Sequence, residues 1–183
     1  MLTIMVRSRA CTIRESLAEL HLPAPTKTNA LMRLYTRPGF LLRRAHQISA
    51  AVFEDECRTV GLTPAQFGVL TVLETHPGLG QSSLARGLGF DKVTVLRVLR
   101  GLETRGLVAR EAPDGKRSVS VSLTPAGQEV LSQAQKPAEK AYRRLMAPLD
   151  KDQQDQLLTL LQLMTGELES EARAPFVPPA SGD

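Results

Sequence analysis

The chain has 183 residues, enough for one well-filled core and too few for two of ordinary size. Apolar residues make up 42% and charged residues 23%, the balance of a globular protein rather than a disordered one. No apolar run approaches the roughly 18 residues of a bilayer span, and Arg7 and Arg9 follow "MLTIMV" at once, so neither a membrane partner nor a secretory signal is expected.

The two cysteines, Cys11 and Cys57, are too few for a disulfide scaffold and fit a reducing cytoplasm. The net charge of +4 is unevenly spread. Residues 1–37 carry six basic and two acidic side chains, and residues 81–127 carry eight and four; the other two segments are net acidic. A localised basic block favours a polyanionic partner.

Residues 1–37, interrupted by Pro23 and Pro25, read as a flexible or accessory arm, with one short amphipathic helix over Arg14–Leu22. A helix of about 23 residues is predicted from Pro38 to Val60, with Gly61 as its stop. Leu41, Ala45, Ile48 and Val52 form its apolar stripe. Thr63, Pro64 and Gln66 spell a capping box for a second helix, which should bury Phe67, Leu70 and Leu73 and end before Pro77. "QSSLARGL" is a short third helix. Asp91 caps a fourth, Lys92–Arg105, closed by Gly106 in a left-handed conformation.

Two alternating runs follow, Leu107–Glu111 and Ser118–Leu123, joined by the turn residues of "PDGK". Val119, Val121 and Leu123 share one face of the second run. Thr124 and Pro125 restart helix toward Leu145, where Pro137 is expected to bend or interrupt it. A last helix begins at Asp150, with Gln153 completing its cap, and carries Leu157, Leu160, Leu161, Met164 and Leu168. The tail "APFVPPASGD" reads as loop or disorder.

Two short helices, a Gly-containing turn and a hairpin make a winged helix-turn-helix within a mostly α chain. Its second helix fits a major groove, and Lys116 and Arg117 at the hairpin tip suit phosphate or a minor groove. The stretch "DKVTVLRVLRGLETRGLVAREAPDGKRSVSVSLTPAG" resembles the recognition helix, wing and following helix start of the multiple-antibiotic-resistance regulator (MarR) family of bacterial transcription factors. Asp91, Arg97 and the run Leu102–Arg110 match the family's pattern. The wing departs from it: Asp-Gly-Lys-Arg at 114–117 is one residue longer than the usual Asp-Arg-Arg. The resemblance spans about Gly39–Met164.

That resemblance implies a homodimeric regulator, here a repressor, on a roughly palindromic duplex. It divides the chain into an arm (1–37), a MarR-like domain (38–168) and a tail (169–183). Within the domain, the winged region covers about 63–124, and helices 38–60 and 125–168 dimerise. The expected DNA contacts are Ser82, Ser83, Lys92, Val93, Thr94, Arg97, Arg100, Lys116 and Arg117, with Arg110 and Asp114 supporting the wing. Ser82 and Ser83 could equally be simple caps, and Lys92, Thr94 and Arg100 plain surface.

Family members often bind small aromatic carboxylates or their thioesters, which implies an effector pocket using Arg43, Arg44, His46 and Phe67. An arginine can grip a carboxylate bidentately, although salt-bridging at a dimer interface and core packing of Phe67 fit as well. An oxidant sensor using Cys57 is an alternative; its acidic neighbours Glu54, Asp55 and Glu56 favour a structural cysteine instead. A winged protein-interaction module without DNA binding is another. His21, His46 and His76 show no metal-ligand spacing, no catalytic or phosphate-loop motif is present, and neither enzyme activity nor a cofactor is expected.

Overall fold

Side-chain caps start four of the helices in this computed structural model, which describes residues 27–111 and 119–179, with side chains from residue 31. In chain order the elements are α1 (Lys27–Tyr35), α2 (Pro38–Glu56), α3 (Pro64–Thr75), β1 (Leu79–Gly80), α4 (Gln81–Gly87) and α5 (Lys92–Thr104). They continue with β2 (Val108–Glu111), β3 (Ser120–Leu123), α6 (Pro125–Met146), α7 (Lys151–Glu167) and a 3-10 turn at Glu169–Glu171. The chain forms two compact units, one ending at His46 and one beginning at Gln47.

In the first unit, residues 27–35 form a helix within what the sequence suggested as a flexible or accessory arm. Pro23 and Pro25 precede this helix rather than break it, and Leu31, Leu34 and Tyr35 recur at helical spacing. The Tyr35 and Phe40 rings meet at 5.1 Å across the turn to α2. The Arg43 guanidinium sits 5.1 Å over Phe40. The helix expected at Arg14–Leu22, and Cys11, lie outside the described residues.

The second unit is built around Leu70, Leu73, Leu84, Val95, Leu99, Leu102, Val121 and Leu131, all buried. Thr63 and Gln66 form the predicted capping box on α3, and Asp150 and Gln153 repeat it on α7. Helix α2 ends at Glu56, four residues before the expected Val60. Beyond that end, the carbonyls of Val60 and Gly61 accept from the Arg105 guanidinium at 2.8 and 2.7 Å, a long-range contact that sequence periodicity does not reveal.

The expected two-stranded hairpin is a three-stranded antiparallel sheet of order β1-β3-β2. Strand β1 was missed because two residues show no period. It pairs Leu79 with Val121, while β2 pairs Arg110 with Val121 from the other side. Val121 is therefore fully buried at the centre, whereas Val119 on the same face is exposed.

Of the bend or interruption expected at Pro137, the interruption does not occur: helix α6 runs unbroken through that residue. Its start is tightly held: Thr124 accepts from the Gly127 N–H at 3.0 Å and donates to the Gly106 carbonyl at 2.7 Å. Only glycine fits at 127, since a Cβ there would sit 2.0 Å from the Leu107 carbonyl oxygen. The described part of the tail is loop, as expected, and it is seated on the protein. The Val177 N–H donates to the Arg86 carbonyl at 2.9 Å, and Pro179 lies against Gly87 at the end of α4.

Candidate functional site

Asp91 sets the geometry of the candidate nucleic-acid face by capping α5, its carboxylate accepting the Thr94 N–H at 2.6 Å. That N–H holds the Asp91 carboxyl below the ordinary carboxylate range, and the nearby Arg97 charge adds to the effect. With its first residue pinned, α5 buries Val95, Val98, Leu99 and Leu102. The opposite face carries Val93, Arg97 and Arg100 at i, i+4 and i+7, all exposed, with Lys92 beside them. No acidic residue follows Asp91 in the first turn of α5, and the exposed face beyond the cap is cationic.

The remaining candidates divide. Ser82 is exposed and Ser83 and Thr94 are half-buried, the serines lying in the first turn of α4. Asp114, Lys116 and Arg117 lie outside the described residues. Arg110 is held by partners the sequence reading did not foresee, donating to Gln81 at 2.7 Å and to Glu103 at 3.3 Å. It thereby ties the wing strand β2 to α4 and α5. Its buried Nε has no partner among the described residues.

The effector candidates are split between the two units. Arg43, Arg44 and His46 belong to the first, on the exposed part of α2; Phe67 belongs to the second. Wholly within the second unit, Phe67 walls a cleft of about 740 Å³. Its other walls come from α6 and include Lys136, Glu139, Tyr142 and Arg143. Phe67 is half-buried rather than sealed in the core, and Phe53 packs against it at 5.4 Å between ring centroids. Lys136, Tyr142 and Arg143 were missed. Their signal was the spacing of Lys136, Glu139 and Arg143 along one helix face, which reads equally as ordinary solvated surface.

Beside this cleft, α6 is bound to the end of α2 by charge. Arg144 reaches Asp55 at 2.6 Å and Glu56 at 2.9 Å, and Lys140 reaches Glu56 at 2.7 Å. The Arg144 hydrogen bond holds the Asp55 carboxyl below its ordinary range, and the Lys140 hydrogen bond does the same for Glu56. Cys57, next in sequence, is fully buried, and both burial and the Glu56 charge push its thiol up. A reactive thiolate needs the opposite conditions. Among the described residues no helix is long and apolar enough to cross a membrane, and no cluster of three or more His, Cys, Asp or Glu could hold a metal.

Comparison with known proteins agrees with this architecture. The MarR family profile matches residues 60–118, from the turn before α3 into the wing. A candidate transcriptional regulatory protein for the hcr operon of Thauera aromatica is 33% identical over 129 residues, covering 68% of this chain and 76% of that protein. The structure of BpsR from Bordetella bronchiseptica, whose DNA binding is regulated by 6-hydroxynicotinic acid, superposes with a TM-score of 0.68 at 29% identity, covering 72% of this chain and 96% of that one. The repressor CouR on a 23-mer DNA duplex superposes at 0.65 with 35% identity, covering 72% and 94%. CouR bound to p-coumaroyl-CoA superposes at 0.67 with 33% identity, covering 73% and 95%. With a mostly helical winged fold, and relatives of this identity matched over most of their length, the chain belongs to the MarR family of transcriptional regulators.

Proposed function

We propose that this regulator is a homodimeric repressor that leaves a palindromic DNA site when a small aromatic carboxylate or its thioester binds. The observation that carries the DNA reading is the exposed stripe of α5, where Val93, Arg97 and Arg100 add nothing to the core. In this reading α5 enters the major groove with Lys92 and Thr94 at its leading end, and Ser82 and Ser83 reach phosphate. Lys116 and Arg117 contact the flanking backbone or minor groove, and Asp114 and Arg110 steady the wing.

The dimer reading divides the chain as the sequence suggested: arm 1–37, winged region about 63–124, dimerisation helices 38–60 and 125–168, tail 169–183. What supports it is surplus apolar surface. Helix α7 buries no residue, and its Leu157, Leu158, Leu160 and Leu163 are all exposed. Apolar faces of that length call for a partner, and an isologous pairing covers both copies at once.

The cleft between Phe67 and α6 supports the effector class. Its volume lies within the ordinary range for a small-molecule site, roughly 300–1,000 Å³. Phe67 and Tyr142 offer aromatic walls, and Lys136 and Arg143 offer the positive charge that a carboxylate needs. This moves the gripping role onto α6, with Arg43, Arg44 and His46 as the alternative set. DNA binding by BpsR is regulated by 6-hydroxynicotinic acid, and CouR binds p-coumaroyl-CoA, ligands of this kind. Release follows if the effector prefers a form whose two α5 helices no longer match half-sites about one helical turn apart. Tight binding alone would release nothing.

The test is fluorescence anisotropy on a duplex enriched from a randomised pool, with 4-hydroxycinnamate and 6-hydroxynicotinate titrated into the complex. Release by either ligand, weakened at least tenfold in Arg143→Ala or Lys136→Ala, is the expected result. Release unchanged in both variants, but lost in Arg44→Ala, would return the site to α2.

A further inference from the structure

We propose that Val93 reads the 5-methyl group of a thymine in the operator; this rests on the DNA-binding role of α5 proposed above. Val93 is 76% exposed, more than any other large apolar residue among the described ones. Valine there serves no visible structural end. It is a weaker helix former than the lysine before it, and the buried stripe of α5 turns its back on it. Scattered apolar residues are ordinary on a protein surface, but this one opens the stripe that continues with Arg97 and Arg100.

The chemistry of the major groove gives such a residue one specific partner. Four base edges present hydrogen-bonding groups there, and only thymine adds a methyl. Val93 can neither donate nor accept through its side chain, so apolar contact is all it offers. Its β-branched side chain holds its two methyls nearly fixed, and little side-chain freedom is lost on contact. The Asp91–Thr94 cap fixes the helical turn on which Val93 stands. Arg97 follows four residues later, about 6 Å along the helix axis on the same exposed face, so both side chains can reach one half-site.

The experiment replaces each thymine of the enriched duplex in turn with deoxyuridine, which removes the methyl and leaves base pairing intact. Anisotropy titrations with the full-length wild type, Val93→Ala and Val93→Ile then separate the contributions. One thymine per half-site should show about fourfold weaker wild-type binding when its methyl is removed, the scale of one methyl group taken out of water. Val93→Ala should shrink the thymine preference at that position, and Val93→Ile should keep it. Specific wild-type binding with no thymine whose methyl matters, or a methyl effect undiminished in Val93→Ala, overturns the assignment and leaves the DNA reading standing. Failure of the wild type to enrich any duplex overturns both.

Discussion

Asp91 shows how one residue serves stability and recognition together, because the carboxylate that caps α5 also fixes where Val93, Arg97 and Arg100 emerge. Arg97→Ala should therefore cost more on the cognate duplex than on a scrambled one, about 1–3 kcal/mol by anisotropy. Arg117→Ala should weaken both duplexes equally and reduce the salt slope by about one. Equal binding of wild type and both variants would remove the DNA reading. Gly127 sits at the opposite extreme, with a role in packing alone. A Cβ at that position would collide with the Leu107 carbonyl oxygen, which also accepts the Thr124 N–H at 3.2 Å. Gly127→Ala should lose about 3 kcal/mol in urea unfolding, at the upper end of overpacking costs.

At the scale of elements, two contacts couple parts of the second unit that lie far apart in sequence. The first is the charge cluster that joins α6 to the end of α2. Because Asp55 and Glu56 titrate below their ordinary values, their contribution is present above the unfolded carboxylate pKa. It is lost as pH falls through the depressed folded values. The melting temperature should thus decline between about pH 5 and pH 3, and the decline should be shallower in a Lys140→Met, Arg144→Met double variant. An identical acid limb in both proteins would show that the cluster adds nothing.

The second contact is the tail on α4. A Cβ on Gly87 would meet Pro179 at 3.1 Å, so Gly87→Ala should be neutral or destabilising in the full chain. In a chain ending at Ala172 the same substitution should stabilise by about 0.5–1 kcal/mol, since only the helix preference of alanine then remains. Equal effects in the two backgrounds would mean that the tail does not hold that seat.

For the whole molecule, the apolar face of α7 predicts a dimer whose melting temperature rises with protein concentration. A Leu160→Glu, Leu163→Glu variant should sediment as a monomer and lose cooperative DNA binding; a wild type that is monomeric at assay concentration would overturn the dimer reading. Much of this architecture is legible in the chain, because its signals are local. Thr63 with Gln66, Asp91, Thr124 and Asp150 mark helix starts, and the spacing of Val95, Val98, Leu99 and Leu102 marks the buried side of α5. A cap or a helical stripe involves neighbours within a few residues, so the order of amino acids suffices. The third strand, the Arg105 bonds to Val60 and Gly61, the Arg110–Gln81 bond and the seat of the tail were decided by tertiary structure alone. Each joins groups that are distant along the chain, such as Arg105 with Gly61 or Val177 with Arg86. The cleft on α6 belongs with them: Lys136 and Arg143 look like ordinary surface in sequence, and only the approach of Phe67 makes that surface a wall.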